Sequence, residues 1–454
     1  MNILLFPIFI PIIVGLIIYF IPRGVKIVKE LLTLLTSSLL LITSVWFYIN
    51  RPAPLIINNS LVLHLDNLST FVFLAIGIFS FIIALYSLKF MQDKPNLSLF
   101  YGSLLWTMGA ACGVVFSNHL ILFLIFWGFL GVTLFLLILS SKEDSAIAAK
   151  KALVIIGGSD ALILLAIAFI YFIAHTFEMD QISINLQYEG ALANIAFVLL
   201  ALGIFAKIGA VPLHTWVPDV AEKAPLSVSA FLPGALDKLL GIYLLAKISL
   251  DIFHISPALN LLLLIIGSLT ILISVMMALV EQDPKRMIGY LVITGAGYMV
   301  LGFGTGNATG IAGGLFYMIS SALWTQCLFL VLGNVEKRFD STDLNRLGGL
   351  IKFMPLTFIT AFIASLAISG IPPLNGFASK WMIYQGLIKL GIGGNNLWVV
   401  WLLIAMVGSA FTLASLMKLM HTVFLGLPSK EIRDKKPLKT SFFLVFPPSI
   451  LAIL

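Results

Sequence analysis

Residues 201–247 read ALGIFAKIGAVPLHTWVPDVAEKAPLSVSAFLPGALDKLLGIYLLAK. This pattern is typical of two apolar helices joined by a proline-rich break at Pro212, and each helix carries one lysine, Lys207 or Lys238. A lysine in hydrocarbon is costly and is found there mainly where it has a task or a partner. A broken membrane helix beside a buried charge indicates an ion site near the middle of the bilayer. We therefore interpret the chain as one that carries an ion path.

The composition is that of a polytopic helical membrane protein. Of the 454 residues, 60% are hydrophobic and 10% are charged, whereas a soluble domain has about 25% charged residues. The net charge of +7 does not indicate a nucleic-acid partner, because basic residues mark the cytoplasmic loops of membrane proteins. The two cysteines, Cys112 and Cys327, lie in apolar segments and predict neither a disulfide framework nor a metal site.

The apolar segments predict an all-α fold of about fourteen transmembrane helices, because a span of the bilayer needs roughly 20 residues. Of the 27 lysines and arginines, 20 fall in loops after odd-numbered segments and three in the other loops. Under the positive-inside rule this split places the odd loops in the cytoplasm and both termini outside. The segments centre near residues 12, 40, 78, 109, 130, 162, 203, 238, 269, 295, 322, 365, 410 and 447.

The two ends of the chain are interpreted as membrane segments. The stretch Leu4–Ile21 has no basic flank before it and no small-residue cleavage site after it, so we expect a retained helix and not a signal peptide. The chain is still apolar at Leu454, and the last helix could continue beyond it.

We expect a single transmembrane domain over residues 1–454, because no loop is long enough to bury a core of its own. The sequence contains no phosphate-binding glycine loop and no histidine or cysteine cluster with metal-ligand spacing. The chain is therefore expected to hold no cofactor and no metal and to perform no redox chemistry itself. Any energy that it uses must come from an ion gradient or from a partner.

A weak internal symmetry predicts an inverted repeat. Residues 201–216 and 366–381 both run from an apolar segment through glycine and proline to a tryptophan, with a lysine close to each break. We expect broken helices in segments seven and twelve and repeats over residues 100–250 and 256–425. Each repeat would hold five helices, and since five is odd the second repeat would enter the membrane from the opposite side.

Four motifs resemble those of the antiporter-like membrane subunits of respiratory complex I, the Mrp cation/proton antiporters and the membrane-bound hydrogenases. The resemblance covers about residues 60–430 and is closest to the hydrogenase and Mrp branch. It implies fourteen helices, the inverted repeat, and protons that move along a central line of buried lysines and acids. The motifs are LYSLKFM at 85–91, AKIGAVPLHTWVPDVAEKAPLSVSA at 206–230, EQDPKRMIGYLVITGAGYM at 281–299 and SGIPPLNGFASKWMIY at 369–384.

The resemblance implies roles for three lysines. Lys207 lies where the family has the lysine of broken segment seven, whose protonation is thought to trigger transfer. Lys238 lies at the bridging lysine of segment eight, and Lys380 lies where the exit half-channel has a lysine or glutamate. From the residues alone, Lys207 could instead extend to the membrane boundary, and Lys380 could lie at the interface.

Three relay positions of the family carry no ionisable group in this sequence. The Trp-Glu pair of segment five is replaced by a tryptophan followed by Gly128, and the histidine and lysine of segment eleven are replaced by Ser321 and Thr325. The histidine of segment eight corresponds to Pro233 or Gly234. These departures put proton conduction by this chain in doubt.

Two acids lie well inside apolar segments, Asp160 and Asp237. We hypothesise that Asp160 replaces the missing acid as the partner of Lys207, since a carboxylate nearby would keep a buried lysine protonated; it could instead cap a polar pocket. Asp237 is adjacent to Lys238, and neighbours in sequence do not face each other on a helix, so it should point to another helix, with Lys207 as a candidate partner. With Lys380, these residues form the predicted ion relay.

Charged residues around the break and before segment ten have simpler interpretations. Asp219 and Glu222 are expected to be solvated or to face a partner, and Lys285 and Arg286 to flank the membrane on the cytoplasmic side.

Three functions remain open. The first is a subunit that translocates protons, sodium ions or both in a redox-driven complex of the prokaryotic cell membrane, such as a membrane hydrogenase or a complex I relative. Its partners would be other membrane subunits and peripheral iron–sulfur or redox subunits. The second is a subunit of an Mrp-type cation/proton antiporter or of a related bicarbonate-uptake transporter. The third is a degenerate scaffold that does not conduct, which the lost glutamate and histidine favour.

Overall fold

The chain folds almost entirely into helices, many of them long and apolar enough to cross a membrane. The computed structural model describes residues 2–22, 24–141, 145–188, 190–344, 346–428 and 441–454. Within these residues, 12 helical runs have the length and hydropathy of a membrane span, and two shorter apolar helices cover Pro355–Ser369 and Phe442–Ile453. The polytopic all-helical fold class and the count of about fourteen segments are confirmed. The prediction of the count used the length of about 20 residues that a span of the bilayer needs.

The helices are numbered here in chain order. Segments one to seven of the sequence correspond to α1–α7, segment eight to α9 and α10, segments nine to eleven to α11–α13, segment twelve to α14 and α15, and the last two to α16 and α17. The bounds are α1 Phe6–Phe20, α2 Lys26–Ile49, α3 Asn67–Phe90, α4 Leu97–Phe116, α5 Leu120–Leu139, α6 Ser145–Ala174, α7 Gly190–Ile208, α8 Trp216–Lys223, α9 Leu226–Phe231, α10 Asp237–Lys247, α11 Pro257–Val280, α12 Pro284–Gly304, α13 Ala308–Phe339, α14 Pro355–Ser369, α15 Asn375–Ile392, α16 Trp398–Met420 and α17 Phe442–Ile453.

Both predicted helix breaks are present, and a glycine in the left-handed region follows the last helical residue at each. Gly209 has φ +72° after α7, and Gly370 has φ +82° after α14; glycine adopts this conformation without the steric cost that a Cβ brings. The break in segment seven leaves backbone groups that need partners. The indole Nε1 of Trp216 donates to the Ala206 carbonyl at 2.9 Å, so a side chain from beyond the break satisfies part of this need.

Segment eight is completely buried inside the bundle over most of its length, as is α12. It runs as α9, a π-helical stretch over Leu232–Leu236, α10 and a second π-helical stretch over Ile248–Ile252, and its best 18-residue window is entirely buried. Proline removes a backbone donor and disturbs the regular helical ladder, which accounts for the wide turn around Pro233. This segment and α12 form the centre of the bundle, whereas α2 and α16 are mainly exposed along its periphery.

Short strands organise the connections at one end of the bundle. Strands β1 (Leu55–Ile57) and β2 (Ser60–Leu63) form an antiparallel hairpin. Strands β3 (Ile184–Asn185) and β4 (Phe253–His254) pair in parallel. The two pairs tie down the long connections that precede α3, α7 and α11.

Candidate functional site

Lys207 lies in the last turn of α7 and forms a buried ion pair with Asp237, the first residue of α10. The Lys207 Nζ atom is 3.5 Å from Asp237 Oδ1, and the two side chains are 1% and 3% exposed. Neither Lys207 Nζ nor Asp237 Oδ2 has a hydrogen-bond partner within the part of the chain that the structure describes. The pair is therefore held mainly by charge attraction, which is strong in a medium of low dielectric. The Lys207 side chain is buried within the protein and does not reach its surface.

Asp160 is not the ion-pair partner of Lys207, and the hypothesis that it replaces the missing acid is corrected. The Asp160 Oδ1 atom instead accepts a hydrogen bond of 2.9 Å from the indole Nε1 of Trp127 on α5. The Lys207 Nζ atom lies 5.3 Å from the centroid of the same indole ring. The indole thus contacts both groups, and Asp160 acts on Lys207 only at longer range. A Cβ at Gly128 would meet no atom within 4 Å.

The position of Asp237 has a simple physical cause. Consecutive residues on a helix point in directions about 100° apart, so Asp237 and Lys238 cannot face the same neighbour. Asp237 faces α7 and Lys207, as the sequence allowed, while Lys238 faces α13.

Lys238 is bound by hydroxyl groups at two positions where the family has ionisable residues. Its Nζ atom donates to Ser321 Oγ at 2.9 Å and to Thr325 Oγ1 at 2.7 Å. Residues four apart lie on the same face of a helix, so the two α13 hydroxyls form one site, called here the hydroxyl cradle. Thr325 Oγ1 also lies 2.5 Å from the carbonyl of Gly234, which links the cradle to the π-helical turn of segment eight.

Lys380 is buried inside segment twelve and not interfacial. It is 2% exposed, and its Nζ donates to Ser409 Oγ on α16 at 2.9 Å. The same Nζ lies 4.2 Å from the ring centroid of Tyr298 and 5.5 Å from that of Tyr317. An ammonium over aromatic rings is stabilised by their π electrons, especially when it is removed from water. The hydroxyl groups of Tyr298 and Tyr384 also lie within 3.0 Å of Ser409 Oγ.

A network of ion pairs connects the break of segment seven to the start of α12. Arg286 Nη1 contacts Asp219 Oδ1 and Glu222 Oε2, each at 2.9 Å, and Lys285 Nζ contacts Glu336 Oε2 at 2.6 Å. All of these side chains are less than a third exposed. Asp219 and Glu222 are therefore paired within the chain, and the expectation that they are simply solvated or face a partner is corrected. Lys285 and Arg286 form ion pairs within the chain in addition to the flanking position that the sequence predicted.

Sequence reasoning missed the groups that hold Lys380. Tyr298 lies within the motif at 281–299, so that motif offered a signal for it. Ser409 lies in an apolar helix with small residues on either side, and nothing in that pattern distinguishes it. The roles of Ser321 and Thr325 were also missed, because they were recognised only as lost ionisable groups.

A comparison with known families decides the classification. The family model described as NADH:quinone oxidoreductase/Mrp antiporter, TM, matches residues 117–412. The chain belongs to this family. The resemblance stated from the four motifs is thereby confirmed, and the family match lies within the range of about 60–430 over which the motifs extend.

Sequence relatives of this NADH:quinone oxidoreductase/Mrp antiporter family member include Na⁺/H⁺ antiporter subunits. Subunit A1 of Staphylococcus haemolyticus is 31% identical over 416 residues, which are 86% of this chain and 51% of the relative. Subunit A1 of Staphylococcus epidermidis is 30% identical over 404 residues, 82% of this chain and 49% of the relative. The chain thus spans about half the length of these relatives.

Solved structures share the fold. A chain of the Mrp complex from Dietzia sp. DQ12-45-1b has a TM-score of 0.87 at 19% identity and covers 99% of this chain and 92% of its own. A chain of the archaeal membrane-bound sulfane sulfur reductase gives 0.84 at 24% identity, covering 98% and 74%. A chain of Thermus thermophilus respiratory complex I gives 0.82 at 20% identity, covering 99% and 94%. At these identities the likeness shows the fold alone.

Proposed function

We propose that this family member is an ion-translocating subunit that moves protons, sodium ions or both across the prokaryotic cell membrane. The observation that carries the proposal is the buried Lys207–Asp237 ion pair at the break of segment seven. Ionisable residues within membrane segments mark ion pathways, and interrupted helices form the ion sites of many transporters. Asp160, Lys238 and Lys380 complete the proposed relay. The inverted repeats over residues 100–250 and 256–425 are part of the same proposal.

The hydroxyl cradle is compatible with a lysine that changes its protonation state. A hydroxyl group both accepts and donates hydrogen bonds, so Ser321 can accept from the ammonium of Lys238 and donate to its neutral amine. The Thr325 oxygen accepts from Lys238, and its one proton is donated to the carbonyl of Gly234 or Ser321. A carboxylate in the same place would favour the charged form alone. Lys238 therefore keeps a hydrogen-bonding partner in both protonation states although the family's histidine and lysine are missing from segment eleven.

The first setting for this activity is a redox-driven complex with other membrane subunits and peripheral iron–sulfur subunits. The second is an Mrp-type cation/proton antiporter, which the similarity to two Na⁺/H⁺ antiporter subunits favours. The two settings differ in what drives transport. Proton movement in membrane vesicles upon addition of an electron donor would support the first, and proton movement upon addition of sodium alone would support the second.

We predict that the chain purifies and functions only within a complex. The chain has no predicted redox or nucleotide site of its own, and its structural neighbours are subunits of multi-subunit membrane complexes. The test is affinity purification from membranes in mild detergent, followed by identification of the co-purifying subunits and by ion-flux assays of the complex and the isolated chain. Full cation/proton exchange by the isolated chain in proteoliposomes would refute the subunit proposal.

The proposed orientation has both termini outside, because 20 basic residues lie in the odd loops and three in the even loops. Ser183→Cys should then react with an impermeant thiol reagent added to sealed cells, and Asp340→Cys should react only after the cells are opened. Both positions are exposed, whereas the native Cys112 and Cys327 are buried and provide a low background. Labelling of the Asp340 position in sealed cells would reverse the orientation.

A further inference from the structure

Lys380 has a hydroxyl partner where Lys207 has a carboxylate. Its Nζ atom donates to Ser409 Oγ at 2.9 Å. The same oxygen lies 3.0 Å from the hydroxyl of Tyr298 and 2.9 Å from that of Tyr384, so it has three neighbours within hydrogen-bond distance. A serine hydroxyl can accept two hydrogen bonds and donate one. These three contacts therefore use the whole hydrogen-bonding capacity of Ser409.

The proton of the Tyr298 hydroxyl is held by the backbone. Tyr298 Oη lies 2.5 Å from the carbonyl oxygen of Ala405, and since a carbonyl can only accept, Tyr298 must donate there. A phenol has one proton, so the contact between Ser409 and Tyr298 is a hydrogen bond that Ser409 donates. Tyr384 lies 3.5 Å from the same carbonyl, which is beyond the usual length of such a bond, and it donates to Ser409 instead. Ser409 thus accepts from the Lys380 ammonium and from Tyr384.

Tyr384 connects this cluster to the end of α15. It lies four residues after Lys380, on the same face of the helix, and the helix ends at Ile392. Lys380 is 2% exposed, whereas Tyr384 is partly exposed and Ile392 is 83% exposed. The proposed orientation of the chain places this end of α15 outside. Two hydroxyl groups therefore lead from a buried lysine towards the outer surface.

We propose that Ser409 and Tyr384 pass protons between Lys380 and water at the outer end of α15. This inference rests on the proposed function and extends its relay by two hydroxyl groups. In the outward step, the Lys380 ammonium gives a proton to Ser409 Oγ, Ser409 gives its own proton to Tyr384 Oη, and Tyr384 gives its proton to a water molecule. One N–H and two O–H bonds break and three O–H bonds form, which leaves both hydroxyls intact, Lys380 as a neutral amine and the water as hydronium.

The step requires only that two hydroxyl protons turn about their C–O bonds. The Ser409 proton turns from Tyr298 to Tyr384, and the distances of 3.0 and 2.9 Å are nearly equal, so the heavy atoms stay in place. Both transfers within the protein are over 2.9 Å, inside the reach of about 2.6–3.2 Å that proton transfer needs. Tyr298 cannot take the place of Tyr384, because its own proton is held by the Ala405 carbonyl. The two tyrosines should therefore differ in a transport assay.

The test is the initial rate of proton flux through the intact complex in proteoliposomes. Ser409→Ala and Tyr384→Phe should each lower this rate about 100-fold, the lower limit of what a positioned proton-transfer group contributes. Ser409→Thr retains the hydroxyl and should stay within about a factor of three of the wild type. Tyr298→Phe keeps the ring over the Lys380 ammonium and should lose about fivefold at most.

Matched controls remove buried hydroxyls that do not contact Lys380. Ser415→Ala is on the same helix as Ser409, and the buried Ser415 hydroxyl donates to the Phe411 carbonyl. Tyr101→Phe removes a buried phenol that donates to a backbone carbonyl on α3. Both variants should keep the flux of the wild type. The thermal stability of the complex is measured for every variant, and if Ser409→Ala proves unstable, Tyr384→Phe decides, because it removes a single oxygen atom.

The outcomes separate the relay from the proposed function. Loss of flux in Lys380→Met together with full flux in Ser409→Ala or Tyr384→Phe would overturn the relay and leave the proposed function standing. Equal losses in Tyr298→Phe and Tyr384→Phe would also overturn it, since the cluster would then support Lys380 only as a structural unit. Full flux in both Lys207→Ala and Lys380→Met would refute the proposed function, and the relay with it.

Discussion

Lys207→Ala is expected to abolish ion translocation by the intact complex, and Asp237→Asn is expected to reduce it by about 10- to 100-fold. Removal of one partner of a buried ion pair leaves an uncompensated buried charge, which is strongly unfavourable. The pair is buried, with a separation of 3.5 Å between Lys207 Nζ and Asp237 Oδ1, so solvent cannot replace the lost partner. The measurement is the initial rate of ion flux in proteoliposomes that contain the whole complex, normalised to protein content.

Asp160→Asn should have a much smaller effect, within about a factor of three, because an asparagine carbonyl can still accept the hydrogen bond from Trp127. The double variant Lys207→Ala with Asp237→Asn should be no worse than Lys207→Ala alone, since both changes remove one interaction. Lys352→Ala, at an exposed position, is the control.

The opposite ranking would contradict the ion-pair assignment. If Asp160→Asn were as severe as Lys207→Ala while Asp237→Asn retained transport, Asp160 would be the functional partner after all. If none of these variants changed translocation or coupled turnover, the chain would be the non-conducting scaffold.

The second large effect is expected at the hydroxyl cradle. Thr325→Val preserves the shape of the side chain but leaves the Lys238 ammonium without its shortest hydrogen bond, which measures 2.7 Å. Hydrogen bonds to charged groups contribute about 1.5–3 kcal/mol, so we expect translocation to fall by about 10- to 100-fold. Thr325→Ser retains the hydroxyl and should stay within about a factor of three of the wild type.

The control for the loss of a buried hydroxyl is Thr107→Val on α4. Thr107 is fully buried and its hydroxyl donates to a carbonyl of its own helix, so this variant tests the cost of a buried threonine away from the relay. Flux is measured together with the thermal stability of the complex. Equal flux in Thr325→Val and wild type would show that the cradle has no part in transport, and a parallel loss in Thr107→Val would make the effect structural.

The ion-pair correction shows how far helix patterns can predict a site. The acids at 160 and 237 were both visible as charges in apolar segments, and charges there are rare enough to attract attention. Which of them reaches Lys207 depends on the rotation of α6 and α10 about their axes. In the folded chain, the indole of Trp127 donates a hydrogen bond to Asp160, and a contact of this kind between separate helices leaves no periodic signal in the sequence.

The hydroxyl cradle and the tyrosines around Lys380 illustrate the same difficulty for neutral groups. Serine, threonine and tyrosine are common in membrane helices, so Ser321, Thr325 and Tyr298 do not stand out among their neighbours. Their contribution becomes visible only when a lysine from another segment is placed within hydrogen-bond distance or over a ring.

The sequence by itself determined the membrane class, the number of segments and the two broken helices. These features follow from local properties, since bilayer thickness sets the length of an apolar span, and a glycine followed within three residues by proline ends the helix at both breaks. It also identified Lys207, Lys238 and Lys380 as lysines within membrane segments, and left open whether Lys207 and Lys380 are buried. Only the tertiary structure decided that Lys207 pairs with Asp237, that Lys238 is held by hydroxyls and that Lys380 lies over tyrosine rings. Those partners come from helices distant in the chain, and their relative rotation and depth are set by the packing of the whole bundle.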